Sequence, residues 1–270
     1  MNRIVIIGAS VAGHSTAIAL REKDKSVSIT LISDELYRLY DRRRLADFLA
    51  GRVLEEELYL CSESFYPDNN INFLKEKKVV ALNLKKRTIT FKEKGSEKFD
   101  FLVIASGRKV LLPDIPGAKK EGVITLNSLD DYSKFSARMI LDTVCVAGSD
   151  EAALNIAKII SDKYKVEVIN GEPSEIIGEG EVQAVRLKEG KVIGASAVIF
   201  STGFKSNIDF LKDTPVNIEN DFIVVDEQMR TNVENIFACG AVCGNVNWDN
   251  VIRDSAIIAE NIVRKVEINL

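Results

Sequence analysis

Ile4-Val5-Ile6-Ile7-Gly8-Ala9-Ser10-Val11-Ala12-Gly13-His14 is followed by apolar positions at Ala17, Ala19 and Leu20. A β-branched run stops at a glycine, small residues follow, and a helical apolar period takes over, which reads as strand, tight turn, helix. A second β-rich run, Val27 to Ile32, ends in Ser33-Asp34-Glu35 and completes a β-α-β unit with acids at the tip of its second strand. Small residues let the backbone approach a pyrophosphate, the helix N-terminus offers N–H groups, and a carboxylate at the strand tip accepts ribose hydroxyls. The unit therefore suits a dinucleotide. Its fingerprint is G-x-S-x-x-G, with Ser10 at the middle glycine, and the strand before it, the helix after it and the acids in place support that reading over a turn that only packs helix on strand. The candidate contacts are Gly8, Ser10, Val11, Ala12, Gly13, Asp34 and Glu35. His14, the single histidine, sits in the first turn of the helix and is assigned no role.

The same order recurs at Thr143 to Ala147, then Ala147-Gly148-Ser149-Asp150-Glu151-Ala152, a helix from about Glu151 to Ser161 and a strand from Val166 to Ile169. Here the fingerprint reads A-x-S-x-x-A. Asp150 and Glu151 stand where a phosphate would dock, so a second dinucleotide-like unit is expected whose charges oppose a pyrophosphate. Farther on, Val182 to Leu187 and Lys191 to Ile193 flank Glu189-Gly190 as a hairpin, and the buried strand Ala197 to Phe200 is reached without a second crossover helix. Phe101 to Ala105 before Ser106-Gly107-Arg108, Ile199-Phe200 before Ser201-Thr202-Gly203, and Ile236 to Ala238 before Cys239-Gly240 each read as a buried parallel strand closing on small residues, where ligands of open α/β sheets sit. A last helix is expected from about Asp249, with Trp248, Val251, Ile252, Ser255, Ala259, Ile262 and Val263 toward the core.

With 270 residues, 46% hydrophobic and 28% charged, the chain suits two domains of ordinary size. A net charge of −4 offers no basic face for nucleic acid or anionic lipid, so small molecules or proteins are the expected partners. Four cysteines, at 61, 145, 239 and 243, follow neither a zinc spacing nor a disulfide framework, which points to a reducing compartment. No apolar run approaches the ~18 residues of a membrane span, and no long apolar segment opens the chain, so a cytoplasmic protein is expected. Cys239 and Cys243 could approach each other, but buried cysteine mostly behaves as a small hydrophobe, and the end of a buried strand is the preferred reading.

Further motifs are Tyr40-Asp41-Arg42-Arg43-Arg44-Leu45-Ala46-Asp47 after Glu35, Val79 with Leu82 and Asn83, Ala105-Ser106-Gly107, Gly203-Phe204-Lys205-Ser206-Asn207, and Ile236-Phe237-Ala238-Cys239-Gly240-Ala241. In this order, over nearly the whole chain, they resemble the FAD-dependent pyridine nucleotide-disulfide oxidoreductase superfamily, and within it the NADH:rubredoxin and ferredoxin reductase branch. Their counterparts there are a Tyr-x-Arg-Pro-x-Leu-x-Lys segment, a strand whose backbone meets the flavin adenine, A-T-G, G-x-x-P-N and I-y-A-x-G-D. The resemblance implies FAD binding, with Arg42, Val79, Ala105, Ser106, Gly107 and Gly240 added to the contacts. Asp47 stands where relatives carry a lysine beside the flavin N5 edge, and Ala241 where they carry an aspartate on the ribityl chain. Arg43 and Arg44 are expected to offset Asp41, Asp47 and nearby glutamates. The worn second fingerprint puts NAD(P)H binding in doubt, and no cysteine pair lies in the segments from which a disulfide reductase presents one.

The expected architecture is α/β, with two Rossmann-like dinucleotide-binding domains. Residues 1–109 and 208–270 form the FAD domain, and a truncated NAD(P)H-binding-like domain, 110–207, is inserted in it. Relatives continue into a C-terminal dimerisation domain that this chain is expected to lack, and its oligomeric state stays open. The expected function is an FAD oxidoreductase that passes electrons from a reduced donor to a small electron-transfer protein or other acceptor, without a catalytic acid, base or metal of its own. The alternative is a relay or non-catalytic subunit that keeps the fold and binds FAD weakly or not at all.

Overall fold

A computed structural model describes residues 2–136 and 143–268; the domain range 110–207 expected from the sequence includes 137–142, which lie outside the described residues. The chain divides into two compact units. The first comprises Met1–Tyr40, Cys61–Arg108 and Ser206–Leu270, the second Asp41–Leu60 and Lys109–Lys205.

Five parallel strands make the centre of the first unit, in the spatial order Ile236–Ala238, Phe101–Ile104, Arg3–Ile7, Ser28–Ile32, Ile71–Leu74. The inner strands, covered on both faces, read as nearly continuous apolar runs, whereas Ile71–Leu74 at the edge exposes Asn72. Alternation along each strand feeds two cores. Ile4, Ile6, Ile29, Leu31, Val103 and Phe237 pack with the helices Val11–Lys23 and Trp248–Ile268. Val5, Ile7, Ile32, Leu102, Ile104 and Ile236 pack with Leu82, Ile89 and Phe91 of a three-stranded antiparallel sheet. The last helix begins at Trp248, one residue before the expected start.

Arg21, buried near the end of the first helix, donates to the carbonyls of Asp24, Lys25, Val27, Asn69 and Asn70. One side chain thus fixes the turn into the second strand and the turn before Ile71–Leu74, which sets where the strand tips fall.

The antiparallel sheet, Val79–Asn83, Thr88–Phe91 and Ser96–Lys98, was legible only as the single strand at Val79. It also carries an uneven share of the charge. Residues 75–98 hold nine of the 36 Lys and Arg and three of the 40 acids. Eight of those nine cations are exposed, and none forms an ion pair among the described residues. Positive charge is therefore concentrated in this segment, and the whole-chain sum of −4 conceals it because the acids are distributed elsewhere.

In the second unit, Lys165–Ile169, Thr143–Ala147, Ala197–Phe200 and Val123–Ile124 form a parallel sheet in that order, with the helix Glu151–Ile160 joining its first two members in sequence. The expected hairpin is present at Ala184–Leu187 and Val192–Gly194, and Pro173–Ile177 widens it to three strands. This meander, not a helix, connects Ile169 to Ala197. Its Ile176, Val185 and Ile193 pack with Cys145, Val198 and Phe200. The short helix Leu45–Leu49 also belongs to this unit, where Phe48 stacks on Tyr132 with ring centroids 3.9 Å apart.

Candidate cofactor site

Strand register brings most of the expected residues together. Ile7 is level with Ile32 and with Ile104, and Ile104 with Ala238. One residue on, Gly8, Ser33, Ala105 and Cys239 therefore lie along a single edge of the first sheet, its carboxyl end. The chain runs outward from Arg3–Ile7 to one side through Ser28–Ile32 and to the other through Phe101–Ile104. The reversal between them is the topological switch point at which open α/β sheets bind ligands.

The backbone there is as tight as it can be. A Cβ on Gly8 would lie 2.1 Å from the carbonyl oxygen of Ala105, at a φ of +102°, and a Cβ on Gly13 would lie 1.8 Å from the carbonyl oxygen of Gly8. Glycine is required at both. The helix starts at Val11 with Ser10 as its N-cap, and its first intrahelical bond runs from His14 N to Ser10 O at 3.0 Å. No side chain caps it and no acid stands in its first turn. Its leading amides and positive dipole end are thus open to an anion.

The other expected residues surround this turn. Glu35 accepts a hydrogen bond from the Tyr40 hydroxyl at 2.7 Å, which orients the carboxylate, while Asp34 is exposed. Lys77 N donates to Ser33 O and Glu76 N to Glu35 O, so the segment leading to Val79 is stitched alongside the acids. Ser106 and Gly107 are held by Asn207. The Ser106 hydroxyl donates to Asn207 O at 2.8 Å, Asn207 Nδ2 donates to Ser106 O at 2.9 Å, and Asn207 N donates to Gly107 O at 2.9 Å. Gly240, with a φ of +80°, opens a short 3-10 turn through Cys243 that includes Ala241, and a Cβ on it would meet the Ala12 Cβ at 2.8 Å. Ser255 of the last helix donates to Ala12 O at 3.1 Å, fixing that helix to the first turn. Tyr40 and Asn207 are the residues that motif reading left without a role; each was visible as part of a motif, but its partner was not.

Two expected contacts fall in the second unit. Arg42 donates to Asn127 O, and Asp47 pairs with Arg52 at 3.3 Å, which also holds Asp162 at 2.6 Å. Arg43 pairs with Asp41 as expected, at 2.6 Å, while Arg44 donates to Glu57 O instead of meeting Asp47.

None of the four cysteines is in a disulfide. Cys239 is buried with its sulfur 3.7 Å from the Thr16 hydroxyl, and burial pushes its thiol up to about 11. Burial pushes the Cys243 thiol up as well. Both are thiols at neutral pH, not the thiolates that disulfide chemistry needs. His14 stacks on Phe65, and its Nδ1 lies 3.1 Å from the Tyr66 hydroxyl; burial lowers its pKa to about 4.

An open helix N-terminus behind an obligatory glycine turn, with an oriented carboxylate at the next strand tip, defines a dinucleotide-binding α/β protein. Residues 2–173 and 149–261 match the model of the pyridine nucleotide-disulphide oxidoreductase family, and the chain belongs to that family. It is 25% identical over 280 residues to an NADH oxidase of Methanocaldococcus jannaschii, covering 88% of this chain and 62% of that protein. It is 25% identical over 303 residues to a rubredoxin-NAD(+) reductase of Pseudomonas putida, covering 98% of this chain and 78% of the relative. An NAD-dependent persulfide reductase from A. fulgidus superposes with a TM-score of 0.86 at 22% identity, over 96% of this chain and 59% of that one. The chain thus spans less than two thirds of two of these relatives. Among the described residues no helix is long and apolar enough to cross a membrane.

Proposed function

We propose that the protein is a cytoplasmic FAD-dependent oxidoreductase that accepts electrons from a reduced donor and delivers them to a small electron-transfer protein. In this reading the first unit is the FAD-binding domain and the second a reduced NAD(P)H-binding-like domain. The observation that carries it is the uncapped start of the helix Val11–Lys23 set against the Gly8 turn at the switch point. The amides of Val11 to Gly13 face the diphosphate, Glu35 takes the adenosine ribose hydroxyls with Tyr40 holding its orientation, and Val79 borders the adenine. Ala105 to Gly107, clasped by Asn207, and Gly240 with Ala241 border the rest of the cofactor. Bound there, FAD would supply the two-electron chemistry, and the protein's part is binding, orientation and exclusion of water. Family membership supports the reaction class. The names of relatives, a rubredoxin-NAD(+) reductase among them, support a small redox protein as acceptor.

The test is a visible spectrum of purified protein before and after incubation with excess FAD, then anaerobic mixing of dithionite-reduced protein with oxidised rubredoxin or ferredoxin. A flavin band near 450 nm and reduction of the acceptor are expected. Protein that stays colourless with excess FAD refutes the reading.

A further inference from the structure

The two fingerprints differ in one respect that sequence alone did not settle: what the side chain at the helix N-cap does. Ile7 and Ala147 each end a strand and accept a hydrogen bond from the exit of the neighbouring one, Ala105 N and Ser201 N, so Gly8 matches Gly148 and Ser10 matches Asp150, one residue on from the A-x-S-x-x-A register expected from the sequence. In the first unit the helix begins at Val11 and its N-cap, Ser10, makes no side-chain capping hydrogen bond. In the second the helix begins at Glu151 and Asp150 is its N-cap, with its side chain engaged. Its Oδ1 accepts a hydrogen bond from Ala153 N at 2.8 Å and lies 3.5 Å from the Ser201 hydroxyl at the end of the neighbouring strand. The turn beneath it is as tight as the Gly8 turn, since a Cβ on Gly148 would lie 2.4 Å from Ser201 O and 2.8 Å from the Ala153 Cβ, so the two units differ at the cap and not in the glycine turn. Glu151 adds a second acid in the first turn of the helix. Neither carboxylate is in an ion pair among the described residues.

We infer that Asp150 is a specificity-determining residue that closes the second unit to pyridine nucleotides. The amide and dipole end that would receive a nucleotide diphosphate are engaged by the protein's own carboxylate. An incoming diphosphate would have to displace that cap while facing two uncompensated negative charges. The family implies NAD(P)H at this position, and the residues present do not fit it. The inference rests on the flavoprotein reading only for its consequence, that electrons enter from a donor carrying no pyrophosphate. The closure itself concerns the second unit alone.

The experiment is calorimetric titration of the full chain with NADH, NADPH and ADP, in the native protein and in Asp150→Ala/Glu151→Ala, a pair chosen because alanine keeps the helix while removing cap and charge. Native protein should show no saturable binding below roughly 1 mM, and the variant should bind NADH or ADP at least about tenfold more tightly. A circular dichroism melt establishes that the variant is folded. A variant destabilised by loss of the cap is replaced by Asp150→Ser/Glu151→Ala, which restores a neutral N-cap. Micromolar binding of NADH or NADPH by native protein overturns the inference, as does a folded variant whose affinity is unchanged. Because heat is read and not flavin colour, a colourless protein would refute the flavoprotein reading while leaving this result intact.

Discussion

His14 is the residue whose environment makes the sharpest statement about pH. Its imidazole is held neutral by burial against Phe65 and Tyr66, with a pKa of about 4, below the ordinary 6.5 that the unfolded chain recovers. The folded pKa is the lower one, so its contribution to stability is complete above about pH 6.5 and is lost as the pH falls toward 4. By linkage the loss on going from about pH 7.5 to about pH 5 is roughly 2 kcal/mol. Urea unfolding at both pH values should show a drop smaller by that amount in His14→Phe than in the native protein; equal drops would mean that His14 titrates normally. At Cys239, with 1% exposure and a thiol near 11, iodoacetamide at neutral pH should label only after guanidinium unfolding, read by peptide mass. The Asp47 to Arg52 pair is partly exposed, so Asp47→Asn should cost about 1 kcal/mol or less in a thermal melt.

Among elements, the turn from Ile7 into the first helix has the least room for change. Gly8→Ala or Gly13→Ala would drive a methyl into a backbone oxygen that cannot move without shifting a strand, and at Gly8 the φ of +102° adds strain. Each should cost about 3 kcal/mol or more, measured by denaturant unfolding, or leave the protein insoluble. Gly107→Ala is the control: nothing lies within 4 Å of its Cβ, and only the φ of +67° opposes it, so a loss of about 1 kcal/mol is expected. Equal losses at Gly8 and Gly107 would show that conformation, not close approach, governs the turn. Asn207 secures its loop with a side-chain and two backbone hydrogen bonds, and Asn207→Ala removes the Nδ2 donor to Ser106 O. A loss of about 1–3 kcal/mol is expected.

At the level of the whole molecule, charge is unevenly placed. Nine cations crowd residues 75–98 without an ion pair among the described residues, in a protein whose net charge is −4. Their mutual repulsion is screened by salt within about 10 Å at 0.1 M. The melting temperature should therefore rise between low and moderate ionic strength. Lys85→Glu with Lys92→Glu should raise it at low salt and flatten the dependence. A native protein whose melting temperature falls with added salt would show that repulsion in this sheet is not a significant cost.

The first β-α-β unit was legible because its information is local: an apolar run, a glycine, a helical period and an acid at the next strand tip all lie between Ile4 and Glu35. The strands Thr143–Ala147, Ala197–Phe200 and Ile236–Ala238 were equally readable, since burial on both faces demands continuous apolar residues. Pro173–Ile177 and most of the antiparallel sheet were not, because half-exposed strands with charged or polar alternate positions carry little signal. Sequence by itself determined the fold class and the residues of the first turn. Tertiary structure decided the partners: Tyr40 on Glu35, Asn207 on Ser106, Arg52 on Asp47 and Asp150 on the amide of Ala153. The physical reason is that a residue's tendency to form a strand or turn is set by its neighbours in the chain, whereas the direction of a carboxylate or amide is set by whichever donor the folded backbone brings within about 3 Å.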